Sequence, residues 1–81
     1  MATILVINEK QLLCDLLGSE FRQHGHEVYT SGTGKEGIEL FRQQRPRVTF
    51  LDLQLPDMNG IEALKKIREI DSTAAVLILT G

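Results

Sequence analysis

The chain has 81 residues, 42% hydrophobic and 25% charged, with a formal charge of −2. Such a composition excludes a disordered tail and suits one small domain, or part of one, whose thin core buries about 60% of the extended surface. Nine Lys and Arg are scattered among eleven acids, with only three Phe and one Tyr, so neither a basic stripe for nucleic acid nor a base-stacking platform is present.

Thr3 to Ile7 is a continuous β-branched and aliphatic run, as expected for a parallel strand covered on both faces, and Asn8 and Glu9 follow at its carboxyl end. From about Lys10 to His24 the spacing of Leu13, Leu16, Leu17, Phe21 and His24 predicts one face of a helix, with Gly25 as its stop. Glu27 to Thr30 reads as a short strand and Ser31 to Gly34 as a glycine-rich turn. A second helix over Lys35 to Gln44 buries Ile38, Leu40 and Phe41 and ends before Pro46.

Val48 to Asp52 is the central strand, and it delivers Asp52 to its carboxyl end. The loop Leu53 to Met58 contains Pro56, and a third helix over Gly60 to Ile70 carries the stripe Ile61, Leu64, Ile67 and Ile70. Ala74 to Leu79 is another uncharged strand, ending at Thr80 and Gly81. The order β-α-β-α-β-α-β implies a parallel sheet with helices on both faces. There is no repeat, linker or composition shift. The lone Cys14 rules out an internal disulfide, and no apolar stretch approaches the roughly 20 residues of a membrane span, so a cytoplasmic protein is the expectation.

In an open parallel sheet, ligands gather at the carboxyl ends of the strands. The first and third strands bring Glu9 and Asp52 to that rim, and two carboxylates there repel unless a cation sits between them. Magnesium suits the pair because it takes hard oxygen ligands and is often held by one or two carboxylates plus water and phosphate. Asn8 can add a neutral oxygen through water, and Gln54 its backbone carbonyl. An aspartate can also attack phosphorus to give an acyl phosphate, with the Thr80 hydroxyl bonding a phosphoryl oxygen.

The segment FLDLQLPDMNG and the later VLILTG resemble the phosphorylation-site segment and the fourth strand of the receiver domains of bacterial two-component response regulators, and the similarity runs from Ile4 to Gly81. The resemblance implies an α/β, flavodoxin-like doubly wound sheet with strand order 2-1-3-4. By carry-over Asp52 is the phosphoacceptor, Glu9 and Asp52 are magnesium ligands with the Gln54 backbone carbonyl, Asn8 stands in the outer shell, and Thr80 is the switch hydroxyl. The implied partner is a histidine kinase or phosphotransfer protein, and the implied role is a regulatory switch, not a metabolic enzyme.

Two departures from the family pattern stand out. The family usually has two acids after the first strand, where this chain has Asn8 before Glu9. It also continues through a fourth helix, a fifth strand and a fifth helix, so residues 1–81 read as the N-terminal part of a single receiver domain, with an impaired site. The fourth strand would then be an apolar edge, and self-association through it is expected.

Plainer roles exist for each residue. Asp52 can cap a turn, Glu9 can complement a helix dipole, Asn8 can cap the helix that follows, and Thr80 can be an ordinary strand former. Asp57 and Asn59 more often shape a loop or cap a helix than do chemistry. His24 and His26 lack further ligands at zinc spacing, and glycines 32, 34 and 37 do not form a nucleotide-binding loop. The rival functions are a receiver fragment that oligomerises without taking phosphate and, more remotely, an aspartyl-nucleophile phosphohydrolase. The latter chemistry wants a second aspartate where this chain has Gln54.

Overall fold

A computed structural model describes residues 1–79 of the chain. Strand β1 (Thr3–Ile7) leads to α1 (Gln11–Gln23), β2 (Glu27–Ser31), α2 (Gly34–Gln44), β3 (Val48–Asp52), α3 (Gly60–Ile70) and β4 (Ala75–Leu79). All pairings are parallel, and the sheet order is β2-β1-β3-β4. The expected architecture and strand order are therefore present.

Strand alternation divides the core in two. Leu5 and Ile7 of β1 and Leu51 of β3 point to one face, where they meet Ile38 and Phe41 of α2 and Ala63 and Ile67 of α3. Ile4, Val6 and Val28 point to the other face with Cys14 of α1, and Leu17, Phe21 and Phe50 pack around them. The Phe21 and Phe50 rings stack at 5.5 Å between centroids. Each fully buried aliphatic side chain contributes about 1.5–3 kcal/mol relative to exposure, and it is these two clusters that hold the sheet between its helices.

Three positions in the helices differ from the spacing-based reading. Leu16 is 60% exposed and His24 is exposed, because α1 turns Cys14 and Gly18 to the sheet and Leu17 and Phe21 beside them. Ile61 is 46% exposed, since Gly60, Ala63 and Ile67 are the buried members of α3. The other expected members, Leu17 and Phe21 of α1 and Leu64, Ile67 and Ile70 of α3, do pack on the core, so each stripe is rotated only at its edge. The Ser31 to Gly34 segment is also shorter as a turn than its composition implies. Ser31 completes β2, and its hydroxyl donates to the Thr33 carbonyl at 2.7 Å, after which α2 begins at Gly34. Gly25, at φ +85°, is the left-handed stop expected after α1. No glycine serves α2, which ends on Arg45 at φ 46° with its amide on the Phe41 carbonyl at 2.9 Å.

One buried polar group lacks a partner among the described residues. The Thr49 hydroxyl sits at 0% exposure in β3. An unsatisfied buried hydroxyl costs about 1–3 kcal/mol, so Thr49→Val should stabilise the chain by about 1 kcal/mol and raise the thermal midpoint by about 4–8 °C. A calorimetric midpoint at or below that of the parent would show that the hydroxyl is satisfied in solution.

Candidate functional site

The carboxyl rim is set by register. Ile7 of β1 lies opposite Leu51 of β3, so the next residues, Asn8 and Asp52, end adjacent strands side by side. Ile7 and Leu51 face α2 and α3, and alternation therefore turns Asn8 and Asp52 toward the α1 side. A pocket of roughly 230 Å³ opens there, lined by Asn8, Glu9, Lys10, Leu13, Asp52, Leu53, Gln54 and Leu79. The sequence-based residues Asn8, Glu9, Asp52 and Gln54 are thus brought together, while Thr80 lies outside the described residues. Lys10, Leu13 and Leu79 were not anticipated, and they line the pocket because of α1 packing and the β4 register, Asp52 opposite Leu79.

Asn8 is 4% exposed and carries much of the local geometry. Its amide extends the β1–β2 ladder by donating to the Ser31 carbonyl at 2.9 Å. Its side-chain Oδ1 accepts from the Lys10 amide at 2.8 Å, shaping the entry to α1, and its backbone carbonyl accepts from Cys14 Sγ at 3.3 Å. Burial pushes the Cys14 thiol up from its ordinary value, which makes it an inert packing group. Asn8 is not the helix cap that its sequence position suggests: Lys10 is the N-cap residue of α1, without a side-chain cap, and Asn8 Oδ1 closes the turn ahead of it while keeping a second lone pair.

Asp52 Oδ1 accepts from the Gln54 amide at 3.2 Å, which fixes the plane of the carboxyl, and Oδ2 has no hydrogen bond among the described residues. Beyond it the chain folds back on itself. Gly60 donates to the Leu53 carbonyl at 2.8 Å, Gln54 and Asn59 form an antiparallel bridge, and Asn59 Oδ1 caps α3 through the Ile61 amide at 2.7 Å. The loop tip is tied elsewhere. Asp57 Oδ1 and Oδ2 accept from the Gly34 and Lys35 amides at 2.8 and 2.9 Å, and those bonds hold its carboxyl below the usual carboxylate range. Because the folded value is lowered, this contact adds stability above the ordinary carboxylate range and loses it as pH falls through the lowered value.

The donor set suits magnesium. Two carboxylates and a backbone carbonyl are hard oxygen ligands, and no thiol or imidazole lines the pocket. Among the described residues no group of three or more His, Cys, Asp or Glu is placed to hold a metal ion. None of the helices in the described residues is long and apolar enough to cross a membrane.

The family model for the response regulator receiver domain matches residues 4–81. The chain is 37% identical over 79 residues to the transcriptional regulatory protein TcrX of Mycobacterium tuberculosis, covering 98% of this chain and 34% of that protein. It thus spans about a third of this curated relative. Among solved structures it is similar to a CheY-like response regulator receiver domain protein of Methanospirillum hungatei, with a TM-score of 0.96 and 25% identity over 100% of this chain and 65% of that one. It is also similar to the response regulator TrrA of Thermotoga maritima, solved in complex with Mg2+-BeF, with a TM-score of 0.90 and 29% identity over 99% of this chain and 70% of that one.

Proposed function

The chain belongs to the response regulator receiver domain family, and on that premise we propose that it is a phosphoacceptor signalling module in which Asp52 takes a phosphoryl group from a histidine kinase or phosphotransfer protein. The observation that carries this reading is the convergence of Glu9, Asp52 and Gln54 on one pocket at the carboxyl rim. A cytoplasmic setting and a switching role, as opposed to metabolic turnover, are part of it.

In the proposed reaction an Asp52 carboxylate oxygen attacks the phosphorus of a phosphohistidine. The O–P bond forms as the P–N bond breaks, and the imidazole nitrogen leaves with the electron pair and takes up a proton. The Gln54 amide holds the Asp52 carboxyl plane during the attack. Glu9, Asp52 and the Gln54 backbone carbonyl would hold magnesium, with Asn8 reaching it through water, and the bound ion would supply charge neutralisation for the transferred group. The Mg2+-BeF complex of TrrA supports that assignment by similarity. The Thr80 hydroxyl completes the proposal as the group that bonds a phosphoryl oxygen.

The test is labelling with a small acyl phosphate. Label that requires magnesium, disappears on chelation and maps to the peptide carrying Asp52 supports the reading. Magnesium-independent label, or label on another residue, refutes it. Multiple turnover of a phosphate ester would favour the phosphohydrolase instead, although Gln54 stands where that chemistry wants a second aspartate.

A second reading, an interaction module that oligomerises, is favoured by β4. Its sequence AVLIL carries no charge, it is hydrogen-bonded to β3 alone among the described strands, and Leu77 and Ile78 are 53% and 37% exposed. An uncharged β-rich edge is a template for another chain. A polypeptide of these 81 residues should therefore self-associate through β4, and light scattering across a concentration series should show mass rising above the monomer. A monomer at every concentration would remove this partner from the proposal.

A further inference from the structure

The loop between Asp52 and α3 is held at two separate places. Its base is closed by its own backbone, through Gly60 to Leu53 and through the Gln54–Asn59 bridge. Its tip is held by another element altogether, because Asp57 caps the first two amides of α2, Gly34 and Lys35, across 23 and 22 residues of sequence. That helix does not need a foreign acid to begin, since Thr33 already accepts from the Glu36 amide at 3.2 Å. Asp57 therefore ties down the loop more than it starts the helix.

The packing around the clasp points the same way. Met58 lies so close over Gly34 that a Cβ there would meet its Cγ at 2.6 Å and its Sδ at 2.7 Å. The loop tip is thus seated on α2 by one bidentate carboxylate and one thioether, with Gln54 three residues before the carboxylate. Hydrogen bonds to two amides favour the ionised carboxylate, in accord with the lowered proton affinity of Asp57.

We propose that Asp57 is a positioning residue for the metal pocket: by clasping the loop to α2 it sets the Gln54 backbone carbonyl in the orientation that magnesium requires. The inference rests on the reading that Gln54 contributes that carbonyl. Groups that orient ligands from outside the first coordination shell commonly change metal affinity by 10–100-fold when removed.

The test is a magnesium titration of the 81-residue chain followed by the amide shifts of Glu9, Asp52 and Gln54, with Asp57→Ala and Asp57→Asn beside the parent. Asp71→Ala is the control. Asp71 accepts from the Thr73 amide and hydroxyl at 3.0 and 2.8 Å beyond α3, a comparable capping role with no connection to the pocket. The expected result is a magnesium affinity about tenfold weaker in Asp57→Ala, an intermediate loss in Asp57→Asn, which keeps one acceptor oxygen, and no change in Asp71→Ala. Faster hydrogen exchange at the Gly34 and Lys35 amides of the Asp57 variants reports the opened clasp. Equal affinity in Asp57→Ala and the parent overturns the proposal, as does an equal loss in Asp71→Ala, which would trace the effect to general destabilisation. Phosphodonor labelling is scored separately: a parent chain that binds magnesium in an Asp57-dependent way but takes no label supports the proposal while refuting the phosphoacceptor reading.

Discussion

Asp52→Asn should abolish phosphoryl uptake while leaving the fold untouched. An amide nitrogen or oxygen is not a competent nucleophile toward phosphorus, so labelling should fall by at least about 10²-fold. Stability should move little, because the one hydrogen bond made by the carboxylate, from the Gln54 amide to Oδ1 at 3.2 Å, can be accepted equally by an amide oxygen. The substitution also removes one of the two negative charges that share the pocket with no protein cation interposed except Lys10 on its lining. A thermal midpoint within about 2–4 °C of the parent, on the high side if anything, is the expected result for a change of about 0.5 kcal/mol. Labelling and melting must therefore separate cleanly. Retained label in a folded Asp52→Asn chain would take Asp52 out of the mechanism, and joint loss of label and fold would make Asp52 a structural residue.

The sequence was most informative where a single element decides the outcome. A continuous apolar run identifies β1, because a parallel strand covered on both faces needs no alternation, and the runs at β3 and β4 show as strands through their β-branched and aliphatic residues, although β4 is an exposed edge. The position of Asp52 at the end of such a run, and of Asn8 and Glu9 at the end of another, is enough to place them on one rim once the strands are neighbours. Helix faces were harder to read. In α1 the leucines at 13, 16 and 17 offer two overlapping stripes, and the choice is made by the sheet, against which Cys14 and Gly18 are buried and a Cβ at Gly18 would lie 3.8 Å from Val28 Cγ1. That distance depends on the sheet, which no window of α1 contains. The Asp57 clasp was out of reach for the same reason. Asp57 was recognisable as a loop or capping acid, but the amides it caps belong to a helix more than twenty residues upstream. Only the packing of α2 beside the loop makes them neighbours.

Gly60→Ala should be the most damaging small substitution in the chain. A Cβ at Gly60 would stand 2.5 Å from Leu53 Cα and 3.0 Å from the Leu53 carbonyl carbon, with the Asp52 carbonyl oxygen closer still. Every one of those atoms is backbone, so no rotamer change can relieve the clash. At Gly34, by contrast, the added methyl would meet the flexible side chain of Met58, which can swing aside, and at Gly37 it would meet the buried Ile7 side chain, whose strain lies in the core and not in the loop. Relief at Gly60 requires the loop to open, and opening breaks the Gly60 to Leu53 hydrogen bond of 2.8 Å just beyond the end of β3. Overpacking of this severity lies at the upper end of the usual 1–3 kcal/mol, and about 3 kcal/mol corresponds to a fall of about 12–24 °C in the thermal midpoint of a domain this small. The damage is also local to the chemistry, since the displaced atoms belong to Asp52, Leu53 and, through the Gln54–Asn59 bridge, the proposed carbonyl ligand. Gly60→Ala should therefore lose magnesium-dependent labelling even below its own melting transition, where Gly37→Ala, destabilised through Ile7 on the far face of the sheet, retains it. Equal labelling by the two variants at a temperature where both are folded would show that the foot of the loop does not govern the site.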